Sequence, residues 1–272
     1  MCIRDSDLGE SAQALSNFDQ LTRNHPNSKY WPDAAYRVAK HKVVTNDYAN
    51  AKPLLDKILA TSNLPDEIRA RSYFLAGKTA FAQQDWAKVE SAMKSFKAKT
   101  TAGDNIKLTA DYFIAEALFQ QQKDAEATIA FDELHLNVAS FPSEYQPWVW
   151  LRKASLKLGA GDAIEAAKLA TEAKQRFSDF NSTYEFDYLL ARGLEAEGRL
   201  TDARREFEKV VASATGSGTE TAANAQWRIG ETHFHQENYE SAIAEYYKVD
   251  SLYTYPKWRA AALVQALSLI HI

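Results

Sequence analysis

Few residues in this chain combine the type and spacing that chemistry requires. Two of the six histidines, His233 and His235, stand two positions apart. On a helix that spacing sends them to different sides, whereas a helical zinc pair needs a spacing such as i, i+4. They read as unrelated surface or half-buried groups. Cys2 is the one cysteine, so no intrachain disulfide can form, and a cysteine nucleophile would have to lie in the first residues of the chain. Gly216-Ser217-Gly218 lacks the Lys-Ser/Thr that follows the glycines of a phosphate loop. No pair of carboxylates stands apart from the general acidic background. The expectation is a segment that is not an enzyme, holds no metal and uses no cofactor.

The chemistry that does recur is aromatic. Tyr36, Phe74, Tyr112, Leu151, Tyr188 and Trp227 are separated by steps of 38, 38, 39, 37 and 39 residues. Aromatic anchors dominate many protein-binding hot spots, so a ladder of rings reads as a surface that packs against a segment of a partner. A stripe of rings at helical spacing also fills a core, and both readings are open in the sequence.

The elements that must position these rings repeat with them. Three residues after each ladder position stands a small residue: Ala39, Gly77, Ala115, Ala154, Ala191 and Gly230. Twelve residues later come Ala51, Val89, Ala127, Ala166, Ala203 and Ala242. Offsets of four and then three lead from these to pairs such as Leu55 and Ile58, Phe131 and Leu134, or Tyr246 and Val249. Those offsets mark one face of an α-helix. Each copy is thus two short amphipathic helices joined by a polar turn, for example at Asn46-Asp47, Gln84-Asp85 or Glu237-Asn238. Glycine costs about 1 kcal/mol in a helix interior, so Gly77 and Gly230 point to helices in close approach. No single hairpin buries such a face alone, and neighbours must stack.

The chain is expected to be all-α: a solenoid, or α-α superhelix, of stacked antiparallel hairpins. It holds about six full repeats of 37–39 residues and a half repeat at each end, in a single array over 1–272. The hairpins are read as 31–45 with 48–60, 66–83 with 86–97, 105–121 with 124–135, 147–158 with 162–175, 183–197 with 200–214, and 221–236 with 239–249. A lone second helix over 11–23 precedes them, and a lone first helix over 256–266 follows. Neither end shows a polar cap, so the chain reads as an internal fragment, with Met1–Ser6 and Leu267–Ile272 foreign to the array.

The pairs Val38-Ala39, Ala76-Gly77, Ile114-Ala115 and Ile229-Gly230, each followed by the small-large-apolar comb of a second helix, resemble the tetratricopeptide repeat family. The resemblance spans roughly residues 8 to 266. The period is longer than the family's usual 34 residues. The copy at Trp150–Ala173 departs from the pattern, with Lys153 at an apolar position and Ala170 and Ala173 where bulk is expected. The resemblance implies that first helices line a concave groove and that Tyr36, Phe74, Tyr112, Tyr188 and Trp227 face a bound protein or peptide. It implies a non-enzymatic scaffold for protein–protein interaction. The Tyr-Pro or aromatic-Pro ends Tyr255-Pro256, His25-Pro26 and Phe141-Pro142, with the long period, are similar to bacterial envelope members, a resemblance that implies a role in envelope assembly at the periplasm or outer membrane. The alternative is a regulatory or sensor segment of a larger enzyme or transcription regulator. The basic-and-Asn clamp of chaperone-binding members is not expected, because the slots after the small residues (Lys40, Lys78, Glu116, Ser155, Arg192, Glu231) hold no Asn.

Charge agrees with a protein partner. The chain has 32 Lys and Arg against 36 Asp and Glu, a net charge of −4. A nucleic-acid binder is expected to carry a basic stripe, and none is present. No apolar run reaches the roughly 20 residues of a membrane-spanning helix.

Overall fold

A computed structural model describes residues 12–271. Cys2 and Met1–Ser6 lie outside the described residues, as does Ile272. The described residues form fourteen α-helices, one 3-10 turn over Val138–Ser140, and no strand. In chain order the helices are α1 (Ala12–Asn24), α2 (Trp31–Val44), α3 (Tyr48–Leu59), α4 (Asp66–Ala82), α5 (Trp86–Lys99), α6 (Asp104–Gln120) and α7 (Asp124–Leu136). They continue with α8 (Gln146–Gly159), α9 (Ala163–Arg176), α10 (Thr183–Ala196), α11 (Leu200–Ala212), α12 (Glu220–Phe234), α13 (Tyr239–Leu252) and α14 (Pro256–His271). The fold is the expected all-α stack of hairpins. The helices group into two compact units, the first ending at Pro142 and the second beginning at Ser143.

Each unit is built the same way. Within the first, α2 pairs with α3, α4 with α5 and α6 with α7, and successive first helices α2, α4 and α6 touch one another. Within the second, α8 pairs with α9, α10 with α11 and α12 with α13, and α8, α10, α12 and α14 touch in sequence. All the comb residues are buried, in every copy. The small residues Ala39, Ala115, Ala154 and Ala191 are fully enclosed, as are Ala51, Val89, Ala127, Ala166, Ala203 and Ala242 across from them. Burying an aliphatic or aromatic side chain is worth about 1.5–3 kcal/mol, so teeth such as Leu55, Phe131, Phe207 and Val249 are the principal source of cohesion between hairpins.

The turns obey a rule that the comb does not contain. Seven residues after each small residue stands a backbone with positive φ: Asn46 (62°), Gln84 (58°), Gln122 (59°), Gly161 (87°), Gly198 (74°) and Glu237 (62°). At each, the N–H of the next residue reaches back to the carbonyl five positions before it: Asp47 to Lys42, Asp85 to Ala80, Lys123 to Leu118, Asp162 to Lys157, Arg199 to Leu194 and Asn238 to His233. This bond satisfies a carbonyl that a helix end leaves open, and it requires the left-handed residue. The residue receiving the turn is the N-cap of the second helix. Asp47, Asp85 and Asp162 accept there from the N–H of Asn50, Lys88 and Glu165.

Helix limits depart from the sequence reading by a few residues at most, except at the end. The last helix is expected over 256–266 and continues to His271, with Ala262, Ala266 and Leu269 buried along one side. The irregular copy keeps its register, for Ala154, Ala166, Ala170 and Ala173 are all buried. Ala163 and Ala167 of the same copy allow a close approach. A Cβ on Gly193 of α10 would overlap the Cβ of Ala167 and lie 2.9 Å from the carbonyl oxygen of Ala163, so α9 and α10 meet backbone to backbone.

Candidate functional site

The ladder residues lie on the first helices, one per hairpin, but their surroundings differ. Tyr36 is half-buried against the core formed by α2, α3 and α4. Phe74 is half-buried, with its ring 5.0 Å from Phe96 and 6.4 Å from Phe113. Tyr112 is only 4% exposed, enclosed by Phe113 and Phe141. Leu151, the aliphatic member, is also buried. Tyr188 is 8% exposed and packs on Phe207 at 5.8 Å. Trp227 is half-buried beside Trp258 at 5.8 Å, and its indole N–H is enclosed without a partner. Three of the five rings, Tyr36, Phe74 and Trp227, are therefore partly exposed, and the other two are buried.

The two units present different faces. In the first, α4 and α6 meet through rings: Phe74 and Phe81 both pack edge-on against Phe113, Phe81 at 4.9 Å. In the second, α10 and α12 meet through polar groups. Glu185, Tyr188 and Glu195 share one stripe of α10, and Thr221, Asn224 and Arg228 share one stripe of α12, by the three- and four-residue steps of a helix face. Thr221 Oγ1 donates to Glu185 Oε1 at 2.9 Å. Asn224 Nδ2 donates to the Tyr188 hydroxyl at 2.6 Å, and Arg192 Nη1 donates to the same oxygen at 3.3 Å. Arg228 Nη1 donates to Glu195 Oε2 at 2.7 Å. These three rungs were not visible in the sequence. The only signal for them is the recurrence of polar partners 36, 36 and 33 residues apart, near the repeat length.

Electrostatics follows from partial burial. Burial pushes the Glu185 carboxyl above its usual value, against the Thr221 hydroxyl and the charge of Arg152. Glu231, in the slot after Gly230, accepts from the Tyr246 hydroxyl, so its carboxylate is tied to the interior of its own hairpin. Asn224 Oδ1 and Arg228 Nε are enclosed without a hydrogen-bond partner.

The histidines do not converge. His233 lies half-buried near Arg204, and burial together with that charge holds its imidazole below the usual range. His235 is exposed at the end of α12. Among the described residues, no three His, Cys, Asp or Glu side chains are placed to hold a metal, and no helix is long and apolar enough to cross a membrane.

The tetratricopeptide repeat family model matches residues 188–252, which spans Tyr188, both arginines of the polar stripe and the α12–α13 hairpin. No curated protein matches the chain in sequence. Solved structures share the fold at low identity. The crystal structure of the apo form of RapI is similar over 95% of this chain and 76% of its own, with 12% identity and a TM-score of 0.67. A tetratricopeptide repeat protein from Parabacteroides merdae ATCC 43184 is similar over 94% of this chain and 91% of its own, with 15% identity and a TM-score of 0.54. The family match over 188–252 falls within an array whose comb is buried in all six hairpins, and that stretch carries the tetratricopeptide repeat pattern.

Proposed function

We propose that the chain is a non-enzymatic scaffold that binds a segment of a partner protein along the face lined by its first helices. The observation that carries this reading is the ladder itself. Tyr36, Phe74 and Trp227 stand on first helices and are partly exposed, while Tyr112 and Tyr188 are buried, the Tyr188 hydroxyl being engaged by Asn224 and Arg192. Half-exposed rings held by a packed core are preorganised anchors, because little side-chain freedom is left to lose on binding. The second-helix face is a poorer candidate. Its exposed apolar groups, among them Ile129, Ile164, Tyr239 and Tyr247, do not recur at one position of the repeat. Net charge of −4 and the pairing of most surface lysines and arginines with carboxylates favour a protein partner over nucleic acid.

The test starts from a phage-displayed library of random dodecapeptides selected on the intact chain. Selected peptides should lose about tenfold or more in affinity on Phe74→Ala or Trp227→Ala, with unchanged helicity, and bind Ile129→Ser as they bind the parent. Peptides indifferent to both ring substitutions would count against the first-helix face.

A further inference from the structure

The polar stripe of the second unit has a charge imbalance that its own residues do not resolve. Arg192 Nε and Arg228 Nη1 both end on a single oxygen, Glu195 Oε2, at 3.1 and 2.7 Å. The three side chains are 25%, 18% and 18% exposed in the order Arg192, Arg228, Glu195, so all are largely out of water. Two cations thus share one anion. The next carboxylate along α12, Glu231, accepts from Tyr246 and forms no ion pair with either arginine among the described residues. Arg228 Nε has no partner, and neither Nη2 group meets an acceptor among the described residues. A half-buried guanidinium without a matched carboxylate is costly, and a planar fork of donors fits a carboxylate in two-point fashion.

We propose that Arg192 and Arg228 form a docking point for an acidic side chain, Asp or Glu, of the segment bound along the first helices. This rests on the first-helix face being the binding face. The incoming carboxylate takes the Nη2 donors of the two guanidinium groups, since Arg228 Nε is enclosed, and brings the cluster to neutrality. Tyr188 and Trp227 flank it, and the ring of Trp227 already lies 5.5 Å from the Arg228 guanidinium carbon. Glu195 has two roles. It holds both arginines in place in the free protein, and it weakens attraction for the ligand, so binding is selective rather than a general response to negative charge.

The sign of Glu195 makes the test sharp. Dodecapeptides from the library above are selected on the wild-type chain, Arg228→Gln and Glu195→Gln, each checked for an unchanged melting curve. Arg192→Gln replaces Arg228→Gln if the latter fails to fold. Wild type should enrich Asp or Glu at one position. One such peptide and its Asn or Gln counterpart, compared by fluorescence anisotropy, should differ by about tenfold on wild type and bind equally on Arg228→Gln. On Glu195→Gln the acidic peptide should bind more tightly still, by about tenfold, with a steeper salt dependence. Acidic and amide peptides of equal affinity on wild type would overturn the docking point while leaving the first-helix face intact if Trp227→Ala still weakens binding about tenfold or more. A loss of acidic-peptide affinity on Glu195→Gln would overturn it also. Enrichment of peptides that carry a free C-terminal carboxylate instead of an acidic side chain would replace it with terminus capture. Failure to select any peptide on wild type would remove the binding face and the docking point together.

Discussion

The ring of Tyr246 occupies the space that a side chain at Gly230 would need. A Cβ on residue 230 would lie 2.5 Å from Tyr246 Cε1 and 2.6 Å from Cδ1, and both residues are buried. Tyr246 is the large tooth of the second helix and Gly230 the small tooth of the first, so the hairpin closes by fitting a ring over a missing side chain. Gly77 meets Met93 in the same way, but the nearest atom is the terminal Cε of a flexible side chain, at 2.6 Å.

That difference predicts opposite outcomes for the same substitution. Gly230→Ala should destabilise by about 1–3 kcal/mol, because an aromatic ring cannot shift without disturbing its neighbours. Gly77→Ala should cost little or gain stability, since Met93 can re-rotate and alanine favours the helix by about 1 kcal/mol. Paired urea melts of the two variants decide it. Equal losses would mean that the ring and the thioether are equally confined.

The left-handed turn residues give a second expectation. Gln122 and Glu237 hold a conformation that costs an L-residue about 1–2 kcal/mol, part of which glycine returns as entropy of the unfolded chain. Gln122→Gly should therefore stabilise by up to about 1 kcal/mol, and Gly198→Ala should destabilise by a similar amount. A Cβ at Gly198 meets no atom within 4 Å, so any loss there is conformational and not steric. Thermal melts that moved in the same direction for both would refute the turn assignment.

Tyr112 tests whether its ring supports the fold. With the ring 4% exposed and set against Phe113 and Phe141, Tyr112→Ser should cost about 3 kcal/mol or more and lower the melting temperature. Trp227→Ala should cost less, because part of that ring is open. A Tyr112→Ser protein as stable as the parent would show that the ring does not support the fold.

Acid should loosen the first unit through Glu90. Its carboxylate accepts from Lys94 on α5 and from Lys123 and Gln121 in the turn of the next hairpin, at 2.6, 2.9 and 3.1 Å. The hydrogen bond from Lys94, then that from Lys123, holds the group down to about 2 from an ordinary 4.5. The native state binds fewer protons than the unfolded chain across that interval. The stabilisation is complete above about pH 4.5 and is lost as pH falls toward 2. Glu90→Gln should lower stability at pH 7 and flatten the pH dependence between those values. An unchanged acid slope in denaturant melts would show that other carboxylates govern it.

The sequence by itself determined the hairpins, their number and their packing faces. The comb from Ala39 to Val249 is local: each tooth is set by helix periodicity within some twenty residues, and every tooth is buried as that periodicity requires. Turns at Gln84 and Glu237 were legible for the same reason, although their left-handed backbone was not, since a glutamine or glutamate gives no sign of it. Tertiary structure decided what lies between hairpins. The approach of Gly193 to Ala163, the burial of Tyr112 while Phe74 stays half open, and the meeting of Arg192 and Arg228 on Glu195 depend on how one hairpin is rotated and shifted against the next. That placement is a sum over many weak contacts across the interface, and no single residue's type or spacing encodes it.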